Sequence, residues 1–145
     1  MGERDIVALH LETREREGIE IIDLQGRLTM GQEDLLLRDR FDRLIAAGKT
    51  RLILNMEGVL QVDSTGLGTL AFTQERLKPL GGKVLLLHLS QAQMELLVYV
   101  KLGAVFEIFT DEQDAINSFY PGRTVHRFDI LSFVQTLRQS PDPKM

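Results

Sequence analysis

Residues 51–68, RLILNMEGVLQVDSTGLG, carry a short apolar run at Arg51–Asn55 into Asp63, Ser64 and Thr65, after which Gly66 and Gly68 open a helical pattern. A strand that leads into a helix in this way points to a fold in which helices cover a sheet. It also puts the Ser64 hydroxyl where strand becomes helix. The first N–H groups of a helix have no intrahelical partner, and the macrodipole leaves partial positive charge there. A phosphate on Ser64 would bring about −1.5 to −2 charge to a place that favours anions. Asp and Ser are also preferred N-caps in helices without any such chemistry, so the local pattern alone supports both readings. The two glycines favour a function, because each costs roughly 0.5–1 kcal/mol relative to alanine inside a helix. Something must approach that backbone closely, either an element of the same domain or the surface of a partner.

The flanking sequence predicts strands over 6–16 and 19–25, joined in a hairpin by a turn at Glu17 and Gly18. A helix follows near 32–47, with Leu37, Phe41, Leu44 and Ile45 on one face, Gly48 as its stop, and Thr29 with Gln32 as a capping box. The helix that starts at Ser64 runs to about Lys78, with Leu67, Leu70, Ala71 and Leu77 facing inward and Pro79, Gly81 and Gly82 ending it. Lys83–Leu87 reads as a parallel strand buried on both faces. Ser90 and Gln93 form a second capping box for a helix that ends at Gly103, and a strand over 104–109 leads to a third box at Thr110 and Gln113. A hairpin followed by βαβαβα implies a mixed sheet of about five strands flanked by about four helices. Pro121 and Gly122 then set off a C-terminal extension, 121–145, with Ile130, Phe133, Val134 and Leu137 at helical spacing and a tail, SPDPKM, expected to be disordered. The helix in it is expected to dock on its own domain, with a homodimer or partner contact as the alternative.

At 145 residues and 43% hydrophobic content, the chain suits one domain with one core. It contains no cysteine, which excludes disulfide scaffolds and thiolate chemistry and fits a reducing cytoplasm. No apolar run approaches the roughly 20 residues of a membrane span, and the N-terminus lacks a signal-peptide pattern, so a soluble, cytoplasmic protein is expected. The net charge is −4, with 17 basic residues scattered among 21 acidic ones, so neither nucleic acid nor an anionic membrane is the expected partner. A protein is.

Several chemistries fit poorly. Ser64 and His88 would share the carboxyl edge of a parallel sheet, which makes a Ser–His hydrolase the enzyme alternative. Val62, however, stands where the nucleophile elbow needs its first glycine. His10, His88 and His126 are far apart and fit no metal-binding pattern. Gly66 and Gly68 make no Walker A loop, and the carboxylate that a dinucleotide fold needs about 20 residues further on is missing. No cofactor and no metal are expected.

The stretch LILNMEGVLQVDSTGLGTLAF resembles the signature of STAS domains of the bacterial anti-sigma-factor antagonist type, and Asp63–Gly68, DSTGLG, is similar to that family's phosphorylation motif. The resemblance covers roughly 6–120, including the G-x-L-T turn, Asn55 at its strand end and the TDEQDAINSF helix, so 1–120 is taken as the STAS domain. It implies an α/β STAS fold without enzymatic activity. It further implies partner switching, in which the unphosphorylated antagonist binds an anti-sigma factor, usually a serine kinase of the GHKL type, and so frees a sigma factor. Phosphorylation ends the binding and a PPM-type phosphatase restores it. On this chain the resemblance makes Ser64 the phosphoacceptor, Asp63 its neighbouring acid, and Thr65, Gly66, Leu67 and Gly68 the docking turn. The family often has an acid after the G-x-L turn where this chain has Thr29, which joins the partner-binding set. A non-switching STAS subunit of a stress-signalling or lipid-transport complex is the alternative role.

Overall fold

The computed structural model describes residues 9–139. β1 (Leu9–Arg16) and β2 (Ile19–Leu28) form an antiparallel hairpin, followed by α1 (Gln32–Ala46), β3 (Arg51–Val62), α2 (Ser64–Leu77), β4 (Lys83–Leu87) and α3 (Gln91–Tyr99). β5 (Ile108–Phe109), α4 (Glu112–Asn117) and α5 (Ile130–Gln139) complete the described chain. The five strands lie in the order β1-β2-β3-β4-β5, and each neighbouring pair from β2 to β5 is parallel. This is the expected mixed sheet, with the four expected helices α1 to α4 and the expected C-terminal helix, α5, among the described residues.

The apolar runs of β3 and β4 are continuous because both faces of the sheet are covered. Leu52, Leu54, Val84 and Leu86 join a core with Leu37 and Phe41 of α1, Leu67 and Leu70 of α2, Met94 and Leu97 of α3, and Ile130 and Val134 of α5. Ile53, Leu85 and Leu87 face the other way, with Ile19, Ile21 and Phe109, under Ala115 and Ile116 of α4. The C-terminal helix therefore spends its apolar stripe on its own domain. Phe128, ahead of it, makes an antiparallel bridge to Ile108, so this segment also covers the β5 side of the sheet.

Several elements differ from expectation. β3 runs seven residues beyond Asn55, because its second half keeps pairing with β2 through two register shifts. β5 is two residues, not six: Gly103–Phe106 turns instead, and Phe106 plugs into the core. α3 stops at Tyr99 rather than Gly103. Lys101 takes the left-handed conformation there (φ 65°), and Leu102 N–H closes on Leu97 O at 2.8 Å. The Ser90–Gln93 capping box is present in both directions. The other two boxes are not, because the helices start later than those threonines require. Gly31 is the N-cap of α1, without a side-chain bond, and Asp111 rather than Thr110 caps α4 by accepting from Asp114 N–H. The expected strand residues 6–8 and the tail SPDPKM lie outside the described residues.

Candidate functional site

Asp63 is the N-cap of α2 and uses both carboxylate oxygens. Oδ1 accepts from Gly66 N–H at 2.9 Å, and Oδ2 accepts from Met30 N–H at 2.9 Å. Its own N–H donates to Leu28 O at 3.3 Å. One residue thus fixes the start of the helix and ties the loop after β2 to it. Ser64, the first helical residue, is exposed, as is Gly68 one turn later.

The two glycines have different causes. A Cβ on Gly66 would stand 2.6 Å from Leu28 O, so the close approach is to the protein's own β2. A Cβ on Gly68 would meet nothing within 4 Å. Of the residues singled out in the sequence, Gly66 and Leu67 are buried, while Asp63, Thr65 and Thr29 are half-buried. Thr29 Oγ1 donates to Glu33 Oε1 at 3.4 Å, which brings an acid beside the position where the resemblance led one to expect it.

On α2 and on the segments before it the structure exposes apolar side chains that the sequence patterns did not single out. Phe72 is 59% exposed and lies on the same stripe of α2 as Ser64 and Gly68, at i, i+4, i+8. Met30, Leu35 and Leu60 are 69%, 65% and 84% exposed, on the loop held by Asp63, the first turn of α1 and the register shift near the end of β3. Clusters of exposed apolar residues bounded by polar ones mark interaction surfaces. The two helices beneath them are joined by Thr69 Oγ1, which donates to the buried Asp34, and by Arg76 with Asp42 at 2.6 Å, while Arg38 on α1 itself holds the other oxygen of Asp34 at 2.8 Å. The missed signal was the i+4 recurrence on α2, which reads equally well as a core stripe until burial is known.

Ser64 and His88 are not brought together. His88 follows Leu87, which pairs with Asn55, whereas Ser64 lies beyond Val62, seven strand residues or roughly 20 Å further along. No hydrogen bond joins them. Among the described residues no three His, Cys, Asp or Glu side chains are gathered as metal ligands, and no helix is long and apolar enough to cross a membrane.

An open groove of about 690 Å³ lies on the face that carries α4 and is lined by Glu12, Arg14, Asp23, Asn55 and Glu57 among others. Its charges largely satisfy one another. Arg14 bonds both Asp23 and Glu112, Arg16 also reaches Glu112, and Asn55 Nδ2 donates to Asp23 at 2.8 Å. The Glu112 hydrogen bond first, then that of Asp23, raises the Arg14 pKa. The Arg14 hydrogen bond in turn lowers Glu112 to about 2. Burial works to raise Asp23, but the bonds from Arg14 and Asn55 outweigh it and hold the carboxyl below its usual range.

The sequence model of the STAS domain matches residues 10–115. No curated protein matches the chain. Among solved structures, an anti-sigma factor antagonist from Mycobacterium paratuberculosis is similar at 18% identity and TM-score 0.66, over 76% of this chain and 92% of that one. The phosphorylated form of the Bacillus cell fate determinant SpoIIAA is 22% identical with TM-score 0.61, over 76% and 99%. A sulfate transporter family protein from Wolinella succinogenes is 18% identical with TM-score 0.56, over 88% and 93%. At these identities the likeness is one of fold. With the family match spanning most of its length and the hairpin, parallel sheet and DSTGLG helix start in place, the chain belongs to the STAS-domain family.

Proposed function

We propose that this protein is an anti-sigma-factor antagonist that works by partner switching, with Ser64 as its phosphoacceptor. The observation that carries this reading is the exposure of Ser64 at the positive end of α2, on the same helix stripe as the open backbone of Gly68 and the exposed Phe72. The unphosphorylated chain docks this surface onto an anti-sigma factor with serine-kinase activity of the GHKL type, and a PPM-type phosphatase resets it in the cytoplasm. Asp63, Thr65 and Thr29 shape the docking turn, with Gly66 and Leu67 holding it from beneath. The similarity to an anti-sigma factor antagonist and to a phosphorylated SpoIIAA supports the assignment.

The switch follows from charge. An interface closed over Ser64 would bury a phosphate without a partner cation, and an unpaired buried charge costs enough to break a complex. In the free protein the same phosphate sits at a helix N-terminus in water, which favours it. The protein is the substrate of the kinase and performs no chemistry of its own.

The test mixes the full chain with candidate serine kinases and ATP, and reads intact mass and complex formation for wild type, Ser64→Ala and Ser64→Asp. One kinase is expected to add a single phosphate to wild type and none to Ser64→Ala, and to bind Ser64→Ala but not Ser64→Asp. Binding that is equal for Ser64→Ala and Ser64→Asp, with no phosphate added, would instead identify a non-switching STAS subunit. Thr29 and the likeness to a transporter-family protein favour that second reading.

A further inference from the structure

The sheet has two edges, treated differently by the chain. The β5 edge is covered by the bridge from Phe128. The β1 edge, eight residues long, has no strand beyond it among the described residues. An uncovered edge of that length offers a row of backbone donors and acceptors to another chain.

The hairpin fixes which residues point outward. Glu17 and Gly18 both have positive φ, 53° and 83°, in a two-residue loop, which is the type I′ turn. The pair that closes it, Arg16 with Ile19, is hydrogen-bonded, and so by alternation are Arg14, Glu12 and His10 with their β2 partners. The backbone groups of Leu9, Leu11, Thr13 and Glu15 therefore point away from the sheet. Two copies can bond through these residues only in antiparallel registers centred on one residue of β1.

Charge chooses among those registers. Centred on Glu12, two Glu12 side chains face each other; centred on Arg14, two arginines do; centred on Leu11, the ladder within β1 shortens to Leu9–Thr13 and leaves Arg14 outside it. Centred on Thr13, Glu12 of each copy lies opposite Arg14 of the other, in the pairs that have no backbone bonds and so hold their side chains closest. Glu12 needs such a partner. Across the β1–β2 ladder it faces Asp23, a like charge, and it makes no ion pair among the described residues. Arg14 has capacity to spare: four of its five N–H groups are used by Asp23 and Glu112.

We propose that two copies of this chain associate through β1, antiparallel about Thr13, with two reciprocal Glu12–Arg14 pairs. The charges that keep this edge from pairing indiscriminately leave one self-complementary register open. The contact is of strand-edge size and gives a weak, concentration-dependent dimer. It uses neither Ser64 nor the exposed stripe of α2, so it stands independently of the switching proposal.

The test is sedimentation of the full chain over rising concentration, alongside Glu12→Arg and two single-cysteine variants, Thr13→Cys and Glu12→Cys, in a chain that otherwise has no thiol. Wild type is expected to dimerise. Glu12→Arg is expected to weaken the dimer by about tenfold or more while its melting temperature does not fall, since the new cation faces Asp23. Thr13→Cys is expected to form an oxidised dimer readily and Glu12→Cys poorly. Three results would each overturn the proposal: a wild type monomeric at every concentration, a dimer unchanged by Glu12→Arg, or cross-linking through Glu12→Cys in preference to Thr13→Cys.

Discussion

Asp63 Oδ2 accepts the backbone N–H of Met30 at 2.9 Å, so the residue before the proposed phosphoacceptor also holds the loop that carries an exposed apolar side chain. With Oδ1 on Gly66 N–H, each carboxylate oxygen is engaged inside its own domain. Its role in the motif is architectural, and that sets what its replacement does.

Asp63→Ala removes an N-cap and a loop tie together. The expected cost is about 1–2 kcal/mol, read as a lower urea midpoint at unchanged m-value. Amide exchange at Met30 and Gly66 should accelerate more than at the core strands. Asp63→Asn, which keeps an acceptor for the helix N–H, should fall between wild type and the alanine variant.

The two glycines of the motif should respond with opposite signs. Gly66→Ala pushes a methyl against Leu28 O and should destabilise by about 2 kcal/mol or more, because a backbone carbonyl in a central strand has little room to yield. Gly68→Ala enters open space and should stabilise the free protein by about 0.5–1 kcal/mol through helix propensity. Thermal or urea unfolding of the pair checks both. If Gly68 is bare for a partner's sake, that same stabilised variant should bind the partner less tightly.

Burial explains why these two look alike in the sequence. What makes Gly66 obligatory is Leu28, 38 positions earlier, which no local pattern can see. Local features were legible: the hairpin turn at Glu17 and Gly18, the Ser90–Gln93 box, and the order of strands and helices through α5. The boxes at Thr29 and Thr110 failed because Gly31 and Asp111 start their helices one or two residues later. The extra length of β3 came from pairing with β2 across register shifts, a non-local cause. Met30, Leu35 and Leu60 went unnoticed for a similar reason, since an isolated apolar residue in sequence says nothing about whether a neighbour covers it.

Phe72 and Leu60 separate binding from folding. Both side chains are exposed, so Phe72→Ala and Leu60→Ser should change stability by no more than about 0.5 kcal/mol. Arg76 packs over the Phe72 ring at 5.9 Å from its centroid, but its ion pair with Asp42 does not depend on the ring and should persist in the alanine variant. Titration calorimetry with the cognate kinase should show Phe72→Ala weakening the complex by about tenfold or more, as aromatic anchors commonly do. Equal affinities for wild type and both variants would place the interface elsewhere.

The Arg14–Glu112–Arg16 cluster gives the fold its sharpest expected response to acid. The Arg14 hydrogen bonds, helped by Arg16 and opposed by burial, hold Glu112 at about 2 against an ordinary value of 4.5. The folded state thus favours the ionised carboxylate more than the unfolded chain does. The stabilisation is complete above about pH 4.5 and is lost as the pH falls towards 2. Asp23, also held below its usual range, acts in the same direction. Glu112→Gln should therefore lower the melting temperature near neutrality yet flatten its decline between about pH 4.5 and 2, so that the two melting curves converge at the acid end. The cluster ties α4 to the hairpin on the face opposite α2, so partner binding at neutral pH should be the same for Glu112→Gln and wild type.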